Sequence, residues 1–512
     1  MTIGIRDIWM LLSFVVLGGL VQAVYGELQL LGIYPSLHAG FPLTGSFFNP
    51  GPYAGYLAVV FPSALGLYLF TDQWPGFSRK WLKLLIKYIS LATVLGILLI
   101  LPVAASRAAW IAVAVSGGLL CFYRFRWYEK LGSLMDTRLN KFSVLILGAG
   151  IWVVALIGIY MLKKDSADGR VLIWKASLNM IRESPFLGTG FDRFKASYME
   201  AQASYFRENS DDSTEFLASD VFYAFNEGIQ LFTEQGMIGF LLVVVLLLVV
   251  FGVRGSGNKP EIWIAQAGLS SLLLFGMFSY PSHILSIKLC GIVCLAVLAV
   301  NSKQLYRLSS LSIPPIRWAV AITMTCLSVV ILWRVQEVYK ANKDWNDALS
   351  YYNKGAYTIS LDKYEKVLPV FIRDGEFLCN FGKALSVAGE HIKAVVILEE
   401  AKNYLGNTIV QTALGDSYKA LGMYDRAEAA YQLASDMLPD RFYPKYLLVK
   451  LYMETGEEEK MKAIARFLLE KEPKIPSQAV EEIKEEMRGM LGERLFNIAP
   501  SGSVSGQDRQ DI

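Results

Sequence analysis

The residues best suited to chemistry in this 512-residue chain lie far apart in sequence, and most of them stand beside long apolar runs. Arg107, in SRAAW (106–110), and Arg170, in a polar stretch after another apolar run, each carry a planar guanidinium whose forked N–H donors match phosphate oxygens. Charge beside lipid is costly, so Arg107 reads either as functional or as a side chain snorkelling to the interface. Arg170 reads either as an anion ligand or as a surface charge. His283, one of 3 histidines, suits a general base near neutral pH, and Lys288 follows it closely. The plain alternative is an interfacial His and a snorkelling Lys. Asn226, Gln230 and Glu234 recur every fourth residue as one polar stripe, with Phe222, Phe225, Ile229 and Phe232 on the opposite side. That stripe either binds substrate or faces water. Glu227 adds a carboxylate beside Asn226. Asn49, with Pro50 and Gly51, turns the chain into an apolar run, as a ligand or simply as a helix start.

Helices must hold these groups. Asp168 is expected to cap a helix from Gly169, with Val171, Trp174, Leu178 and Ile181 as an apolar face lying on the membrane surface. Pro185, Gly188 and Gly190 end it, and Gly236 is expected to end the helix that carries the polar stripe. Apolar runs of spanning length are expected near 7–24, 52–70, 84–104, 108–123, 142–162, 237–253, 262–280, 284–300 and 317–334. Lys and Arg crowd one alternating set of short loops: Arg79, Lys80 and Lys83; Arg124 to Lys141; Arg254 and Lys259; Lys303, Arg307 and Arg317. The other set holds only Arg107. The N-terminus is therefore expected in the cytoplasm, with the long loop 163–236 and everything after 335 outside it.

Composition agrees with this division. Residues 338–512 carry 50 of the 95 Asp, Glu, Lys and Arg. A membrane part, 1–337, precedes a soluble part, 338–490, and a tail, 491–512, expected to be disordered. In the soluble part Gly415, Tyr418, Gly422, Tyr424, Ala427, Tyr431, Ala434 and Pro439 follow tetratricopeptide spacing. Weaker copies stand 33 residues before and 34 after. The fold class is all-α: about nine transmembrane helices followed by an α-solenoid. Such repeats bind rather than catalyse, so they either hold a protein partner in their groove or stabilise the membrane part. A net charge of +3 with no basic, aromatic-laced tract argues against nucleic acid. The 5 cysteines have neither disulfide-framework nor zinc spacing, so no metal site is expected. A transporter would need paired acidic and basic groups at mid-bilayer, and only Lys288 is a candidate there.

Five stretches together resemble the O-antigen ligase and Wzy-type polymerase superfamily of bacterial inner-membrane glycosyltransferases. They are TGSFFNPGPYAGYL (44–57), SRAAW (106–110), GRVLIWKASLNMIRESPFLGTGFDRF (169–194), AFNEGIQLFTEQGMIG (224–239) and FSYP (278–281), in family order. The resemblance implies transfer of a glycan from undecaprenyl diphosphate, without metal or other cofactor and with inversion at the anomeric carbon. The acceptor is a lipid A-core sugar in ligases, another repeat unit in polymerases, or a protein hydroxyl in O-oligosaccharyltransferases. By motif, Arg107 and Arg170 are the diphosphate ligands. Many ligases carry His-Asn where this chain has Phe225-Asn226, and that His is the family's proposed base. Here either Glu227, Glu234 or His283 replaces it, Glu227 first because it adjoins Asn226, or proton removal matters less. Asn49, Gln230, Glu234 and Lys288 are the expected substrate contacts. The non-enzymatic alternative is a membrane anchor that presents a repeat scaffold.

Overall fold

The computed structural model describes residues 5–73, 80–127, 164–209, 212–254, 259–302 and 314–492. The described residues form helices and no strands. They divide into two compact units: Met1–Ala201 with Val221–Lys340, and Gln202–Asp220 with Ala341–Ile512.

The first unit is built around α2 (Pro50–Leu69). It packs against α1 (Ile5–Leu30), α3 (Lys80–Ala104), α4 (Arg107–Arg124), α9 (Pro260–Gly276) and α10 (Leu285–Asn301). Its small residues Ala54, Gly55, Ala58, Ser63 and Ala64 are buried and let neighbours approach. Ser271 of α9 donates to the Ala58 carbonyl at 2.7 Å inside this contact. The outward faces stay apolar and exposed, at Phe14, Val21, Leu99, Leu242 and Ile292 among others, as lipid-facing helices require. Among the described residues α1, α2, α3, α8 (Glu227–Phe251) and α11 (Pro314–Asn353) are long and apolar enough to span a bilayer. The expected spans 108–123, 262–280 and 284–300 correspond to α4, α9 and α10, of 18, 17 and 17 residues. The span expected at 142–162 and the tail from 493 lie outside the described residues.

Between α4 and α8 run α5 (Lys164–Glu183), α6 (Phe194–Glu208) and the short α7 (Asp212–Glu215). Asp168 is not a cap: α5 starts at Lys164, so Asp168 sits inside the helix. Leu172, Ile173, Ala176 and Met180 are buried, whereas Val171 and Leu178 are exposed. The helix thus carries two adjacent apolar stripes, a buried one, with α8 as a packing neighbour, and an exposed one that includes Val171 and Leu178 of the expected membrane-surface face.

The second unit is a row of helix hairpins. α12 (Tyr357–Phe371) leads into α13 (Gly375–Val387) with α14 (His391–Lys402), α15 (Thr408–Ala420) with α16 (Tyr424–Met437), and α17 (Phe442–Thr455) with α18 (Glu458–Glu470). α19 (Gln478–Met490), capped by Ser477, packs on α18. Ala394, Ala427, Ala430, Ala434 and Ala465 sit buried where helices meet, and Tyr364, Tyr431 and Leu398 fill the space between them.

Candidate active site

Three helices begin and two end around one cavity of about 260 Å³ in the first unit. α2 starts there at Asn49–Pro52, α4 at Ser106–Ala108, and α8 just beyond Phe225. α3 ends there at Ala104 and α9 near Phe275, followed by Phe278, Ser279 and Tyr280. Helix N-termini carry partial positive charge and undersaturated N–H groups, so this end of the bundle favours an anion. Asn49 caps α2 through a bond from the Gly51 N–H to its Oδ1 at 2.9 Å. The α3–α4 turn is tight: Ala105 adopts φ 47°, and the Trp110 indole donates to the Leu101 carbonyl at 2.8 Å. That turn places Arg107 on the cavity wall. Arg124, at the far end of α4, donates to the Leu69 carbonyl at 2.9 Å, so the two cations mark opposite ends of that helix.

Arg170 reaches the same wall from α5. Burial, and then the nearby Arg107 charge, lower its pKa, which places two like charges in one neighbourhood. Its guanidinium lies 5.6 Å from the centroid of the Phe225 ring. Phe225 presents that face because its backbone is left-handed, φ 51°. Its neighbours hold it there. The Ala224 carbonyl accepts from the Trp174 indole at 3.0 Å, and the Ala224 N–H donates to Gln230 at 3.2 Å. Asn226 caps α8 by accepting from Ile229 at 3.1 Å and donates to the Met277 carbonyl at 3.1 Å. Tyr280 meets Phe225 edge-on at 5.3 Å and stacks on Tyr223 at 4.4 Å.

The polar stripe of α8 does not face water. Asn226, Gln230 and Glu234 are buried and committed to other parts of the protein. Glu234 accepts from the backbone N–H of Asp192 at 3.1 Å and of Phe194 at 3.3 Å. The Gln230 amide contacts His283 Nε2 at 2.8 Å, while its carbonyl oxygen takes the Ala224 N–H. The amide N–H is then the donor, which assigns His283 as the neutral tautomer protonated at Nδ1. Burial holds the His283 pKa below its usual range; Asp192 opposes this, and Lys288 and Lys195 reinforce it. Glu227 accepts from the Ser282 N–H at 2.8 Å.

Gly236 ends the first helical segment of α8, as expected. α8 breaks there, at φ 63° and ψ −168°, and then continues to Phe251. The reason is tertiary. Segment 185–190 docks at the break through N–H bonds from Thr189 to Thr233, from Gly190 to Glu234, from Met237 to Pro185 and from Ile238 to Phe186, all between 2.8 and 3.3 Å. A Cβ on Gly236 would lie 2.3 Å from the Phe186 backbone, and one on Gly188 would lie 2.4 Å from the Glu234 backbone.

Of the residues singled out in the sequence, Asn49, Arg107 and Arg170 line the cavity together. Asn226 adjoins it as the cap behind Phe225, and Glu227 follows. Gln230, Glu234 and His283 form a bonded cluster that is not in the lining, and Lys288 is exposed on α10. Phe225, Ser279, Tyr280 and Phe41 also line the cavity and were not singled out for it. FSYP was the available signal for two of them.

Residues 91–244 match the sequence model of a family described as O-antigen ligase. The match spans Arg107, Arg170 and the start of α8, and it supports an O-antigen ligase-like membrane glycosyltransferase. No curated protein matches the chain.

Proposed function

We propose that this protein is a glycan transferase of the bacterial inner membrane. It moves an oligo- or polysaccharide from undecaprenyl diphosphate to an acceptor outside the cytoplasm, a lipid A-core sugar. The observation that carries this reading is the cavity shared by Arg107 and Arg170 at the start of three helices. In the proposed reaction the acceptor hydroxyl attacks the anomeric carbon from the face opposite the diphosphate. The new C–O bond forms as the bond to the diphosphate oxygen breaks, and that oxygen leaves with the electron pair. The two guanidiniums bind the departing charge, assisted by the helix N-termini. Two cations held close together repel, and an anionic headgroup between them relieves that repulsion.

The acceptor proton goes to Glu227. Glu234 already accepts two backbone N–H groups, and the acceptor nitrogen of His283 is occupied by Gln230. Glu227 is bonded to Ser282, an exposed residue, and follows the cap of α8. Asn49 orients the donor headgroup. The hairpins of the second unit are tetratricopeptide repeats on the periplasmic side.

Glycan analysis of a strain lacking the gene tests the reading. Loss of long-chain lipopolysaccharide, with intact polymer kept on its lipid carrier, is the expected result. Chains stopped at one repeat unit would reassign the protein as a polymerase, and unmodified periplasmic proteins as an O-oligosaccharyltransferase. Unchanged glycans on every acceptor would overturn it.

A further inference from the structure

Residues 202–220 belong to the sequence between α5 and α8, yet they pack with the helix hairpins of the second unit. The contacts are specific. The fully buried Gln202 donates to the Met437 carbonyl at 2.7 Å. Arg207 pairs with Asp436 at 2.6 Å, and Lys471 bridges Glu215 at 3.6 Å and Asp440 at 3.1 Å. Asp220 pairs with Arg441 at 3.2 Å and lies 3.4 Å from the Thr408 hydroxyl. Lys474 donates to the Ala218 carbonyl at 3.3 Å and covers the Phe216 ring at 5.2 Å. Ala203, Phe206 and Ala218 are buried.

These contacts follow the repeat. Thr408, Arg441 and Lys474 are each 33 residues from the next. All three stand at or beside the connections between successive hairpins: at the start of α15, just before α17 and shortly after α18. Three copies of one repeat position thus form a track, and one segment of the same chain lies along it. The flanks of that segment matter. Eight residues before Gln202, the Phe194 N–H is held by Glu234, and five residues after Asp220 comes Phe225, the aromatic face under Arg170.

We propose that the hairpins act as an intramolecular holder for 202–220, and that this docking keeps residues 192–194 and 221–226 in the geometry the cavity uses. The occupant of this edge of the repeats is the chain itself. The effect on transfer rests on the proposed function, whereas the docking does not.

A charge swap in the full-length protein, reconstituted in lipid nanodiscs, separates the two. Hydrogen exchange of 202–220 and glycan transfer are measured for Asp220→Arg, Arg441→Asp and the double variant. Loss of a charged hydrogen bond on this scale opens a segment roughly tenfold or more. The expected result is faster exchange in each single variant, with protection and transfer both recovered in the double. Arg207→Asp with Asp436→Arg repeats the cycle if the first pair impairs folding. Exchange of 202–220 that is unprotected in the native protein, or indifferent to both swaps, overturns the docking. Lost protection with unchanged transfer overturns its positioning role. Absence of transfer even in the native protein would count against the proposed function, and the exchange data alone would then decide the docking.

Discussion

At the scale of single residues, the proposed transfer depends on Arg107 and Arg170 binding the departing phosphate. Arg107→Ala and Arg170→Ala are each expected to slow transfer roughly 100- to 1,000-fold, the usual cost of removing one preorganised donor from developing charge. Lysine at either position should recover only part of the loss, because an ammonium lacks the fork. Rates in reconstituted membranes check both statements. Phe225→Ala should lower transfer by about tenfold through Arg170, and Phe225→Trp should restore it, since a cation over an aromatic face gains roughly 0.5–2 kcal/mol. Equal activity of the Ala and Trp variants would remove that role. Arg107 stood out in the sequence because it opposes the charge bias of its loops. Phe225 did not. As a residue type it suggested only a missing base, and its use depends on a left-handed backbone between two hydrogen-bonded neighbours.

At the scale of elements, the break in α8 positions Glu234 and, through Gln230, His283. Gly236→Ala forces a Cβ into backbone at a φ,ψ pair that glycine almost alone tolerates, at a cost on the order of 1–3 kcal/mol before any clash. A lower melting temperature for Gly236→Ala and Gly188→Ala, measured in detergent, is the expected outcome. The glycine marked where the first helical segment stops, but the bonds from residues 185 and 186 at that break were not legible, because they join segments distant in sequence. The same limit hid the buried stripe of α5, with Leu172 and Met180, which packing sets. In the hairpins, burial and then Lys471 push the Lys445 ammonium down to about 8 from 10.5, against the pull of Glu215, Asp436 and Asp440. Between those values the unfolded chain binds more proton than the folded one, so stability rises as pH climbs from about 8 to about 10.5. Protection of the Lys445 helix in hydrogen exchange should grow over that window, and Lys445→Met should abolish the growth.

At the scale of the whole molecule, composition already separated an apolar part from a charged one, since the dividing signal is summed over hundreds of residues. The placement of 202–220 with the hairpins was not legible, because ion pairs such as Arg207–Asp436 join residues 229 apart and leave no local pattern. The basic loops predict a sidedness that labelling can check. A cysteine replacing the exposed Glu390 should react with a membrane-impermeant maleimide in cells whose outer membrane is permeabilised, and one replacing Arg126 should not. The most direct test of the central claim is equilibrium binding of undecaprenyl diphosphate to the purified full-length protein in nanodiscs. Binding is expected to weaken in Arg107→Ala, to weaken in Arg170→Ala, and to be lost in the double variant with the fold intact. Equal binding by the native protein and the double variant would contradict it.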